Sequence, residues 1–224
     1  MLGLRKGLVF RQAEPDYNLV LDGSARIDLP AGLRLDNKSF TVECFFKRVA
    51  GGGSEDYTIL GDFSPENGTN NDKLHLLLRK FGDDYYCFFG AWFEDFHDTS
   101  TPILEDVWYK VGFVIDSVEG KRKIYLDSQV LNTVDRPTYQ GVKPLTIGAW
   151  RNFQVRSGFA GEMSFFRVWD KALTISEFIA LGSNKIHQQT TNLYANYNFN
   201  NDVLDSGGND FHGTPFNESY KIVN

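Results

Sequence analysis

Short apolar runs recur along the chain, each bounded by glycine, proline, aspartate or asparagine. NLVLDGSARIDL holds an Asp-Gly step between two strand-like runs, the signature of a hairpin turn. SFTVECFFKRV alternates apolar and polar positions. It is followed by the Gly51–Ser54 loop and the run YTILGDF. The polar stretch SPENGTNND leads into KLHLLLRKF, then DDYYCFFGAWFEDF and a DTSTP turn. VWYKVGFVIDSVEGKRKIYLDSQVL reads as two strands around a VEGK turn. PLTIGAW, GEMSFFRVW and NLYANYNF supply the last clear strands. Many short strands at this spacing predict an all-β fold: a two-sheet antiparallel jelly-roll sandwich.

One helix is predicted, near 174–181. Thr174 and Glu177 stand three residues apart, the spacing of a capping box, in which each side chain satisfies a backbone N–H the helix leaves open. Phe178, Ile179 and Leu181 give an apolar face, and Gly182 can end the helix. Two turns of helix on a sandwich are expected to plug one of its ends. No linker or repeat divides the chain, so residues 1–224 read as a single domain.

Composition narrows the function. Of 224 residues 15% are aromatic, which suits strands, and the net charge is −6. That balance argues against nucleic acid or anionic lipid as partner, since both require a basic face. No run of 18 apolar residues occurs, so no membrane-crossing helix is expected. The N-terminal stretch MLGLRKGLVFRQAEPDYN lacks the apolar core of a signal peptide. A cytosolic protein, one released by another route and an excised extracellular domain all stay open. Cys44 and Cys87 sit in apolar runs and read as buried free thiols.

Two loops combine aromatic rings with polar groups. One is Trp150, Arg151, Asn152, Phe153, Gln154 and Arg156; the other contains Trp92, Glu94, Asp95 and His97. Rings can stack on a sugar face while the polar groups bond its hydroxyls. The competing reading packs Trp92 and Trp150 into the end of the sandwich, and Trp108 and Trp169 read as core. Catalytic patterns are missing: there is no E-x-D-x-x-E run to set two carboxylates on one face, no nucleophile elbow and no paired histidines. The patch Glu94–Asp98 is the nearest to a catalytic cluster, and it reads as a polar loop.

The order of these pieces resembles the laminin-G-like, concanavalin A-like lectin/glucanase jelly-roll domains, including the pentraxins. The matching stretches run from LVLDGSARIDLP at 19–30, through FTVECFFKR, PLTIGAW and FAGEMSFFRVWDKALTISEF, to the segment closing at about 216. The resemblance implies that fold, and allows a structural calcium near Asp22 and Gly23, with Asp205 in a second calcium-like loop. Ser164 stands where many relatives carry an acid, and Trp150-Arg151-Asn152 where pentraxins carry an acidic cluster, which weakens a calcium-bridged ligand. The expected function is a non-catalytic binding module with no certain cofactor, recognising carbohydrate through its edge loops. The alternative is a protein-interaction, adhesion or assembly domain, with self-association through sheet edges.

Overall fold

A computed structural model describes residues 17–49, 56–62, 73–91, 95–150, 157–185, 190–216 and 220–223. In chain order the strands begin with β1 (Asn18–Asp22), β2 (Arg26–Asp28), β3 (Phe40–Arg48), β4 (Asp56–Asp62) and β5 (Leu74–Phe81). They continue with β6 (Asp84–Ala91), β7 (Phe96–His97), β8 (Trp108–Asp116), β9 (Lys121–Leu126) and β10 (Gln129–Asp135). β11 (Leu145–Ile147) and β12 (Ala160–Trp169) precede helix α1 (Ile175–Ala180); β13 (Leu193–Tyr197), β14 (Thr214–Phe216) and β15 (Lys221–Val223) follow it.

Two antiparallel sheets form the predicted sandwich. Sheet A has the order β10-β9-β8-β3-β12-β1-β15, with β13 also paired to β12; sheet B has the order β14-β2-β11-β4-β5-β6-β7. Alternation along each strand builds the core between them. On β3, Phe40, Val42, Cys44 and Phe46 point inward, opposite Ile115, Phe113, Val111 and Tyr109 of β8. Thr41, Glu43, Phe45 and Lys47 take the outer face. A bulge at Ser164 shifts the phase of β12, so that Met163 and Phe166 both reach the core. The two cysteines are free and buried in that core.

The Asp22-Gly23 step is not a hairpin. β1 pairs with β12 and β15 in sheet A, whereas β2 pairs with β11 and β14 in sheet B. The step is a corner where the chain changes sheets, and Gly23 supplies the positive φ of 89° that it needs. A second crossing runs beside it, between β11 in sheet B and β12 in sheet A. The two crossings are tied by the Gly23 amide, which donates to Phe159 O at 2.9 Å.

The capping box of α1 is formed as predicted. The helix does not plug an end of the sandwich. It lies on the outer face of sheet A, where Phe178 packs with Val114 and Tyr125 above Gly112; a Cβ at Gly112 would come within 2.8 Å of the Phe178 ring. Ile179, expected on the apolar face, is 47% exposed. Trp108 is likewise outside the core: it is only half-buried, on the outer face of sheet A. Trp169 is fully buried, but under the helix segment with Leu173, Leu181 and Leu193.

Candidate functional site

Trp150 and Asp95, one from each polar-aromatic stretch, both lie against His75 on the outer face of sheet B. Pairing across β4, β5 and β6 sets Gly61, His75 and Gly90 in one row. Both glycines are required by what lies over them. A Cβ at Gly61 would fall 2.8 Å from Trp150 Cβ, and one at Gly90 would fall 1.8 Å from His75 Nε2. Freed of those side chains, the row accepts an indole and an imidazole lying flat, with ring centroids 4.3 Å apart.

His75 is buried and has oxygen on both sides. Its Nδ1 lies 3.1 Å from Lys73 O, and its Nε2 lies 3.1 Å from Asp95 Oδ1. A neutral imidazole carries a single N–H, so it can donate to only one of these oxygens. Asp95 itself is exposed. Burial acts first on its carboxyl and raises the pKa. The hydrogen bond and charge of His75, helped by Arg79 and Arg122, more than offset this, and the group ends below its ordinary 3.8.

One row along, Thr58, Leu77, Phe88 and His97 are neighbours across β4 to β7. The exposed His97 ring stacks on Phe88 at 5.8 Å and on Phe81 at 4.6 Å. Arg79 caps the other side of Phe88 at 3.9 Å and holds Asp56 through two hydrogen bonds of 2.9 Å. Trp150 is 8% exposed, so it forms a floor rather than a projecting platform. The assembly is a packed aromatic bed rimmed by an exposed carboxylate and an exposed imidazole. It can bond hydroxyl groups and shelter an apolar ring face.

Of the residues predicted to bind ligand, Trp150, Asp95 and His97 are brought together here. Trp92, Glu94, Arg151, Asn152, Phe153, Gln154 and Arg156 lie outside the described residues. The catalytic-looking patch is dispersed: Phe96 enters the core, and Asp98 binds Ser100 Oγ at 2.7 Å and the Thr101 amide at 2.9 Å. His75, Phe88, Arg79 and Gly90 were missed as site residues. Their signal was the alternation of KLHLLLRKF and YYCFFGA, which sets them on one face.

The three residues named for calcium serve the backbone. Asp22 Oδ1 accepts from the Ser24 amide and hydroxyl, both at 2.8 Å. Gly23 turns the corner already described. Asp205 accepts the amides of Asn196, Gly207 and Phe211 at 2.8, 2.7 and 3.1 Å. Among the described residues no group of three or more His, Cys, Asp or Glu could hold a metal ion.

No curated protein matches the chain. Among solved structures, a proposed carbohydrate-binding protein from Bacteroides ovatus is similar over 92% of this chain, with a TM-score of 0.69 and 20% identity. The chain spans 59% of that protein's length. A heptameric pentraxin from Limulus polyphemus resembling serum amyloid P is similar over 75% of this chain and 82% of its own, at a TM-score of 0.58 and 18% identity. Domain 4 of an extracellular arabinanase from Geobacillus stearothermophilus, complexed with arabinotriose, is similar over 73% of this chain and 75% of its own, at 0.58 and 20%. At these identities the likeness is one of fold. A family model of concanavalin A-like lectins and glucanases matches residues 21–178. With sandwich, helix and motif order in agreement, the chain belongs to the concanavalin A-like lectin/glucanase superfamily.

Proposed function

We propose that the protein is a non-catalytic, lectin-like module that binds carbohydrate on the outer face of sheet B. The observation that carries this reading is the convergence of Trp150 and Asp95 on His75 over a glycine-floored row of β4 to β6, with His97 one row along. Lectin sites need a ring surface for C–H groups and fixed polar groups for hydroxyls, and both are present within one patch. Two of the similar structures are described in terms of carbohydrate, which supports the same reading. Under it, Asp95 accepts from sugar hydroxyls and His97 contributes its edge.

The test is a glycan array with the full chain, with and without calcium, followed by titration of any hit. Asp95→Ala and His97→Ala, both at exposed positions, are expected to weaken binding at least tenfold. A chain that binds no glycan under either condition overturns the proposal.

A further inference from the structure

The outer face of sheet A carries a second pocket, of about 380 Å³, on the side of the molecule opposite the site above. Its back wall is aromatic. Trp108 stacks on Phe45 at 4.9 Å, and Phe45 stacks on Phe165 at 5.9 Å. One side is formed by Ile179, Gly182 and Ser183 at the end of the helix segment. The other is the tight turn at Asp127 and Ser128 between β9 and β10. The volume falls within the range of sites for small ligands.

The polar groups around the pocket divide into spent and unspent. The Lys110 ammonium is spent: it donates to Phe178 O and Gly182 O and lies 3.5 Å from Glu43. Lys47, 5.4 Å from the Trp108 ring, is paired with Glu162 at 2.8 Å. Asp127 uses Oδ1 to accept the Lys110 amide at 2.9 Å, and among the described residues nothing donates to its Oδ2. Among the described residues the hydroxyls of Ser128 and Ser183 likewise have no hydrogen-bond partner. A half-buried indole thus faces one open carboxylate oxygen and two open hydroxyls, and the two nearby ammonium groups, Lys110 and Lys47, are both committed.

We propose that this pocket is a second carbohydrate site, which takes an uncharged hexopyranose unit. The C–H face of the ring lies on Trp108, hydroxyls donate to Asp127 Oδ2, and the serines bond the remaining oxygens. An acidic sugar is disfavoured because its carboxylate would meet Asp127 with both nearby ammonium groups already paired. Nothing in this assignment depends on the sheet B site. If both sites are occupied, one chain holds two glycan units on opposite faces and cross-links them.

The experiment is saturation-transfer NMR and calorimetric titration of the full chain. The probes are the methyl glycosides of glucose, galactose, mannose and N-acetylglucosamine, with 3′-sialyllactose as the charged comparator. At least one neutral glycoside should bind, with Trp108→Phe and Asp127→Asn each lowering its affinity fivefold or more and Val118→Ala, at an exposed position outside both sites, leaving it unchanged. Asn at 127 keeps the acceptor for the Lys110 amide, so that variant stays folded, as near-UV circular dichroism will show. Loss of binding in Asp95→Ala alone overturns this proposal and leaves the sheet B reading standing. Loss in the Trp108 and Asp127 variants alone supports the pocket and removes the sheet B site. Failure of every neutral glycoside to bind, or a preference for 3′-sialyllactose, also overturns the proposal.

Discussion

His75 on β5 pairs with Gly90 on β6, and the space a side chain would fill at Gly90 holds the imidazole instead. The contact between His75 and Asp95 therefore depends on an atom that is not there. Gly90→Ala is expected to push the imidazole off its row, at a cost of about 1–3 kcal/mol, the usual range for overpacking. Chemical denaturation of the variant measures the cost. If its stability equals that of the parent chain, the row is looser than described.

Asp95 makes the same contact visible through pH. Its folded pKa is depressed, so it stabilises the fold above its unfolded pKa, and this contribution is lost as pH falls through the folded value. The stability difference between the parent chain and Asp95→Asn should shrink as pH falls below the ordinary carboxyl value and vanish in stronger acid. Urea unfolding across that range tests this. A difference that does not change with pH would mean that the charge of Asp95 adds nothing.

Glu43 is fully buried on the outer face of sheet A. It accepts from Trp169 Nε1 at 3.0 Å and lies 3.5 Å from Lys110 and 3.7 Å from Arg167. Burial lowers the pKa of both cations, and Glu43 offsets only part of this. Glu43→Ala leaves two buried positive charges without their counter-ion and should cost about 3–5 kcal/mol. Glu43→Gln keeps an acceptor for Trp169 and should cost less. Equal losses in the two variants would assign the effect to packing alone.

Thr174→Ala removes half of the capping box, since its hydroxyl accepts the Glu177 amide at 3.2 Å. About 1 kcal/mol of stability should go with it. Thermal melts read by circular dichroism measure the shift, and an unchanged midpoint would mean that sheet packing alone sets the helix start.

Burial, followed by the charge of the adjacent Glu43, raises the Cys44 thiol well above its ordinary value; burial does the same at Cys87, with Asp98 and Asp127 adding to it. Only the thiolate reacts readily. Both cysteines should resist an alkylating reagent at pH 8 in the folded chain and react on denaturation, as mass spectrometry can count. Fast labelling of either in the native state would contradict its burial.

The strands were legible because alternation is a local property: FTVECFFKR shows which side chains face inward whatever sheet it joins. The start of α1 was legible for the same reason, since Thr174 and Glu177 meet within one turn. Which strand pairs with which was not. Asp22-Gly23 looks the same as a hairpin turn or as a corner, and the pairing of Leu21 with Gly161, far along the chain, decides between them. The candidate site follows that division. Trp150, Asp95 and His97 stood out by type, whereas His75 and Gly90 gained meaning only from being opposite one another. Trp108 misled because a strand tryptophan reads as core until the sheet face it occupies is known.

Helix α1 ends on borrowed charge. It has no basic residue in its last turn. Lys110 on β8 binds the carbonyls of Phe178 and Gly182, and Arg167 on β12 binds those of Asn184 and Lys185. A helix of six residues is far below the length that persists alone in water. Its last turn therefore has no stable partner until β8 and β12 are in register. The helix amides become a timer for assembly: during refolding they gain protection from exchange after the strands beneath them, and during unfolding they lose it first.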